Sequence, residues 1–263
     1  MLAGSKSAAL NLFVATLSFT VGSACLAAAY ADEIRLLSAN VFTGVLDEPI
    51  AGYERSAGQT VAIVYATAGA IRNRLRDGEA ADVTILPRPM LDELQRAGKI
   101  APDIIDLARS AVGVAVRAGS ARPDISSVEA LKNSLFAANS ISYADPARGG
   151  ATGLLVTRMF ERLGMTAEMK PKTKFPPGDE FAVDVVARGE AEIALAQPME
   201  VIGQRRVELV GLLPPELQDP PNFTFAMGVL ATGKQRPAAL ALIQFLSGPA
   251  VASELRARGM EPR

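Results

Sequence analysis

Residues 64–87 read V-Y-A-T-A-G-A-I-R-N-R-L-R-D-G-E-A-A-D-V-T-I-L-P, and the fold follows from how this stretch is parsed. The β-branched and aromatic run at 61–65 has strand length and ends in the small turn Ala66-Thr67-Ala68-Gly69. Residues 70–77 read as a short helix: Ile71 and Leu75 share one face, Arg72, Asn73, Arg74 and Arg76 occupy the others, and Gly78 is a stop. A second strand at 83–86 ends at Pro87. Strand, turn, helix and strand in so short a span form a βαβ unit, which predicts parallel strands. The turn at 67–69 carries little side chain, so main-chain N–H groups at the helix start can approach a ligand. Those groups and the helix dipole favour an anion. Small residues also serve any ordinary strand-to-helix turn, so the turn alone does not assign a site.

The pattern continues on both sides. Residues 34–38 form a strand that runs into the turn Ala39-Asn40-Val41. A helix follows with Val45, Leu46, Ile50 and Tyr53 near helical spacing, and Pro49 inside it is expected to loosen the early turns. Residues 89–97 give another helix, with Pro89 in the first turn and Gly98 beyond its end. The first part of the chain is thus β-α-β-α-β-α. Residues 111–116, A-V-G-V-A-V, read as a strand buried on both faces. Ser126-Ser127-Val128-Glu129 is expected to be a capping box opening a short helix. The strand at 141–143 delivers the Gly-rich turn D-P-A-R-G-G-A-T-G (145–153) to a helix with Leu154, Leu155, Met159, Phe160 and Leu163 at core spacing. A helix at 178–188 and a strand at 193–196 come next, the latter ending in Gln197-Pro198. A long strand at 223–230 and helices at 237–246 and 249–258 close the chain. Two α/β lobes, each with an anion-type turn, predict a cleft between them that closes on a small ligand.

Composition narrows the chemistry. The 263 residues are 49% hydrophobic with a formal net charge of −1, so no global field attracts nucleic acid or an anionic membrane. There is no histidine, which excludes a histidine triad, a histidine metal site and a histidine base. No cofactor and no metal ligand set is read. Lys6, the apolar run at 8–28 and Ala29-Tyr30-Ala31 predict a signal peptide over residues 1–31, cleaved after Ala31. The single cysteine, Cys25, lies within it, and Gly22 three residues earlier argues against a lipid anchor. The remaining chain holds no second apolar run that spans a bilayer. A periplasmic protein, monomeric and without a nucleic-acid partner, is expected.

The chain resembles the molybdate-binding branch of the type II periplasmic solute-binding proteins, the receptors of ABC importers. The likeness rests on the turn before Ile71, on R-D-G-E-A-A-D-V (76–83), on the Asp145-Pro146 turn, on G-E-A-E-I-A (189–194) and on F-L-S-G-P-A (245–250). It implies an α/β fold of two lobes, each an open, mostly parallel sheet flanked by helices. Two crossover strands would act as hinge, for which 112–116 and 223–230 are the candidates. Lobe I would take residues 32–113 and 228–263, lobe II residues 114–227. A small anionic ligand and an ABC permease in the inner membrane are the implied partners. The family's first turn supplies a serine hydroxyl where this chain has Val41 beside Asn40, and its paired serines correspond to Thr67-Ala68-Gly69. The family's closing tyrosine falls near Gln197.

The predicted ligand-binding residues are therefore Asn40, Val41, Thr67, Ala68, Gly69, Arg148, Gly150, Ala151, Thr152, Asp179 and Gln197. The ligand is either a molybdate- or tungstate-type oxyanion or a small organic carboxylate. Arg148 and the amides lean toward the organic acid, because a guanidinium forks onto a planar carboxylate. A binding protein rather than an enzyme is expected. The alternatives are an enzyme of the same fold that works through carboxylates such as Asp145, Asp179 and Glu180, or a module that signals to a membrane sensor.

Overall fold

The computed structural model describes residues 33–178 and 180–263. The predicted signal peptide, Cys25 and the candidate Asp179 lie outside the described residues. In chain order the elements are β1 (Ile34–Ala39), α1 (Asp47–Ala57), β2 (Val61–Ala66), α2 (Ala68–Arg76), β3 (Val83–Pro87), α3 (Arg88–Arg96), β4 (Ile100–Arg109) and β5 (Gly113–Arg117). Next come α4 (Val128–Ala137), β6 (Ile141–Tyr143), α5 (Ala151–Arg162), α6 (Thr166–Met169), α7 (Ala182–Ala187), β7 (Ile193–Ala196) and α8 (Pro198–Val201). The chain ends with β8 (Val207–Leu212), β9 (Thr224–Leu230), α9 (Arg236–Leu246), α10 (Pro249–Ala257) and β10 (Glu261–Pro262). Among the described residues no helix is long and apolar enough to cross a membrane.

The strands form two sheets, six strands in the order β10-β4-β9-β3-β1-β2 and four in the order β6-β7-β5-β8. This is the two-lobe α/β architecture that the sequence predicts, with more mixed pairing. β1 runs parallel to β2 and β3, while β9 is antiparallel to both β3 and β4. In the smaller sheet only β6 and β7 are parallel, and β5 opposes both β7 and β8. The two strands of the opening βαβ unit do share a direction, but β1 lies between them. The larger sheet buries one core that includes Leu36, Phe42, Ile71, Leu86 and Phe225. Phe42 and Phe225 meet edge-to-face at 5.2 Å. The smaller sheet has separate cores on its two faces, one around Val114 and Phe160, the other around Val185 and Ala194.

Several local expectations are corrected. The crossovers are not strands 112–116 and 223–230: β5 belongs wholly to the small sheet and β9 to the large one. The chain crosses through shorter segments, tied where Ser110 N donates to Phe223 O at 2.8 Å and Gln218 Nε2 to Val112 O at 2.8 Å. Helix α1 starts at Asp47, so Val45 and Leu46 precede it and Pro49 falls in the first turn, where no intrahelical donor is lost. Ser127, not Ser126, caps α4 by accepting from Ala130 N, while Ser126 N donates to Asp124. Helix α7 is shorter than predicted, six residues opened by Phe181 N donating to the Asp184 carboxylate. Leu154 points outward, and α5 buries Leu155, Val156, Met159 and Phe160. Strands β4 and β8 are absent from the sequence reading.

One polar side chain stitches the large sheet together. Asp82, in the D-G-E-A-A-D-V segment, is buried and accepts from Arg35 N at 3.0 Å and Gln235 N at 3.3 Å. Its carboxylate thus joins the start of β1 to the entry of α9, and main-chain partners satisfy its charge.

Candidate functional site

The two Gly-rich turns singled out in the sequence meet. Thr67 caps α2 by accepting from Ala70 N, and its hydroxyl donates to Arg148 O at 2.7 Å. Gly69 N donates to Gly149 O at 3.2 Å. Only glycines allow this approach. A Cβ on Gly69 would lie 2.8 Å from the Gly149 Cα, and Gly149 has φ +72°. The α2 start, on the large sheet, is therefore hydrogen-bonded to the turn before α5, on the small one.

Behind this contact lies a cavity of about 50 Å³, lined by Asn40 and Thr67 from one lobe. The other lobe contributes Ala144, Asp145, Arg148, Gly150, Ala151, Thr152, Pro176, Glu180, Phe181, Ala182, Gln197 and Glu200. A space of that size holds a few waters or a compact ion. A larger ligand needs the Thr67–Arg148 and Gly69–Gly149 contacts to part.

Seven predicted site residues converge here: Asn40, Thr67, Arg148, Gly150, Ala151, Thr152 and Gln197. Three do not. Val41 and Ala68 are buried in the core of the large sheet, and the Gly69 amide is already bonded to Gly149. Helix α5 begins at the cavity through Gly150, Ala151 and Thr152. Gly153 permits this, because a Cβ there would sit 2.2 Å from Ala144 O.

Gln197 is 4% exposed; its Nε2 donates to Thr152 Oγ1 at 3.3 Å and its Oε1 has no hydrogen-bond partner among the described residues. A buried amide oxygen left so costs roughly 1–3 kcal/mol until a donor reaches it. The cavity's carboxylates are not equivalent. Asp145 accepts from Ala147 N at 2.9 Å, which caps its own turn. Glu180 pairs with Arg188 at 2.7 Å. Glu200 pairs with no cation among the described residues, and burial pushes its carboxyl up to about 8, with the Gln197 main chain opposing the rise and Asp184 adding to it. At neutral pH it is mostly a neutral carboxylic acid, hence a donor.

Glu200 was not among the predicted residues. It stands in the first turn of α8, directly after β7, and its N–H donates to Gln197 O at 3.0 Å. A glutamate three residues after Gln197, the cap residue, was the available signal, since the third helical position reaches back toward the cap. Helix α8 is held by both lobes, and Val201 joins a core of the small sheet. Met199 joins the core of the large sheet, and Pro198 lies against Gly259, where a Cβ would come within 3.0 Å of its ring.

The family model described as bacterial extracellular solute-binding protein matches residues 34–261. An aconitate isomerase of Pseudomonas sp is 33% identical over 245 residues, covering 90% of each chain. Among solved structures, the periplasmic molybdate-binding protein of Azotobacter vinelandii superposes with TM-score 0.73 at 16% identity, over 87% of this chain and 98% of that one. The sulfate-binding protein of Mycobacterium tuberculosis does so with TM-score 0.70 at 18% identity, over 88% and 86%. These two likenesses establish the fold.

Proposed function

We propose that this chain, which belongs to the family of bacterial extracellular solute-binding proteins, is an exported periplasmic receptor that holds a small organic polycarboxylic acid between its lobes for an inner-membrane permease. The observation that carries the ligand class is the pairing, in one cavity, of Arg148 with the buried Gln197 amide whose Oε1 lacks a donor. A guanidinium forks onto a carboxylate, and an amide oxygen takes the proton of a hydroxyl or of a carboxyl that has kept one. A tetrahedral dianion such as molybdate or sulfate offers acceptors only and leaves Oε1 unpaired. The start of α5 adds main-chain donors to a second carboxylate. The 33% identical aconitate isomerase is named for an acid of this class.

That relative and the neutral Glu200 together favour a second reading, in which the same cleft isomerises the acid it binds. A solute-binding scaffold supports it without change of fold, since function resides in the site.

Arg148→Ala tests the ligand class. Calorimetric titration with a tricarboxylate should show a loss of roughly 2–5 kcal/mol, much of it from leaving a carboxylate buried and unpaired. A loss below about tenfold would contradict the assignment of Arg148 to the ligand.

A further inference from the structure

Two features of the cleft remain after binding is accounted for: a carboxyl that no cation pairs among the described residues, and a short helix fixed by both lobes. Binding an anion needs neither of them. A cleft that only retained its solute would do better with an arginine or serine at position 200 than with a group that repels the solute once ionised.

We propose that Glu200 carries a proton between two carbon atoms of the bound acid, so that the cleft shifts a double bond in an unsaturated tricarboxylate. This rests on the organic-acid reading above and adds the chemistry to it. Glu200 lines the same cavity as Thr67 and Arg148. The other two carboxylates there are committed, Asp145 to the Ala147 amide and Glu180 to Arg188. Asp184, the remaining neighbour of Glu200, accepts from Phe181 N and Gln204 Nε2 and does not line the cavity. Among the described carboxyls that line the cavity, Glu200 is the one that burial holds largely protonated despite its main-chain contact with Gln197, and so the one placed to exchange a proton with a ligand.

The step balances without a co-reactant. In propene-1,2,3-tricarboxylate the methylene carbon lies next to both a carboxylate and the double bond. Ionised Glu200 takes one methylene proton. The C–H electron pair forms a double bond to the central carbon, and the old π pair moves toward the far carbon and its carboxylate. The Arg148 guanidinium and the start of α5 offset the charge that collects there. The acid form of Glu200 then returns the proton to the far carbon. One C–H bond breaks and one forms, the double bond moves by one position, and its geometry is set anew. A carboxyl that titrates near the working pH is suited to both halves of the transfer. Its place on α8, fixed by Met199 and Pro198, gives it a defined position relative to both lobes.

The test uses the full chain with cis- and trans-aconitate as probes, binding by calorimetry and carbon-bound deuterium in D2O by proton NMR. The wild type should bind, incorporate deuterium and interconvert the isomers, at a rate that climbs with pH toward a plateau above about 8. Glu200→Gln mimics the neutral acid. It should bind within about tenfold of wild type while exchange falls by at least about 100-fold and loses its pH dependence. Wild-type binding without exchange would overturn the proton-transfer role and leave the organic-acid reading standing, as would exchange retained within tenfold in Glu200→Gln. Failure of the wild type to bind either isomer would overturn both.

Discussion

Glu200 shows how one residue's burial sets its chemistry. Its carboxyl is pushed up to about 8, chiefly by burial, against an ordinary value near 4.3 in an unfolded chain. A group whose folded value is raised stabilises the fold fully below its unfolded value, and that contribution is lost as pH rises through the folded value. Between about pH 4 and 8 the wild type should therefore lose stability that Glu200→Gln keeps. Thermal melts should nearly coincide at pH 4, and the variant should melt at least about 3 °C higher at pH 8.5, the shift expected of roughly 1 kcal/mol in a chain of this size. Coincident melts at both pH values would mean that the carboxyl is solvated. Arg148 and Gln197 were legible in the sequence because they stand at ends of strands that feed helices. Glu200 was not, because what distinguishes it from other helix-capping glutamates is its desolvation in the folded chain, which local sequence does not encode.

At the scale of elements, the site depends on where α5 starts. Its first turn lies against Ala144 because position 153 has no side chain, with a Cβ there only 2.2 Å from the Ala144 carbonyl. Gly153→Ala should cost about 1–3 kcal/mol by overpacking, read as a melting point several degrees lower. It should also weaken tricarboxylate binding at least about tenfold, since Gly150, Ala151 and Thr152 leave the cavity with the helix end. An unchanged melting point and affinity would show that the α5 start is not part of the site. The longer helices and the strands β1, β2, β3 and β7 were readable from periodicity and turn residues, whereas the four-residue helices α6 and α8 were not. β4 was not, since Pro102, Asp103 and Asp106 break its pattern, and its register against β9 shifts at two places. β8 also escaped, as Glu208 and Gly211 dilute a run whose outer positions are only half buried.

The whole molecule joins two sheets through short crossing segments and a set of contacts across the cleft: Thr67 to Arg148, Gly69 to Gly149, and Met199 into the core of the large lobe. The first two close over the cavity and must part for a polycarboxylate to enter, so ligand choice is a property of both lobes together. The two-lobe architecture was legible from alternating strands and helices alone. The identity of the ligand was not, because the turns that line the cavity converge from distant parts of the chain. Parallel calorimetric titrations of the wild-type protein with aconitate and with molybdate test the central claim most directly. Saturable one-to-one binding of the tricarboxylate, with a dissociation constant at or below about 10 µM, and no heat from molybdate is the predicted result. Tight binding of molybdate with no response to aconitate would contradict it.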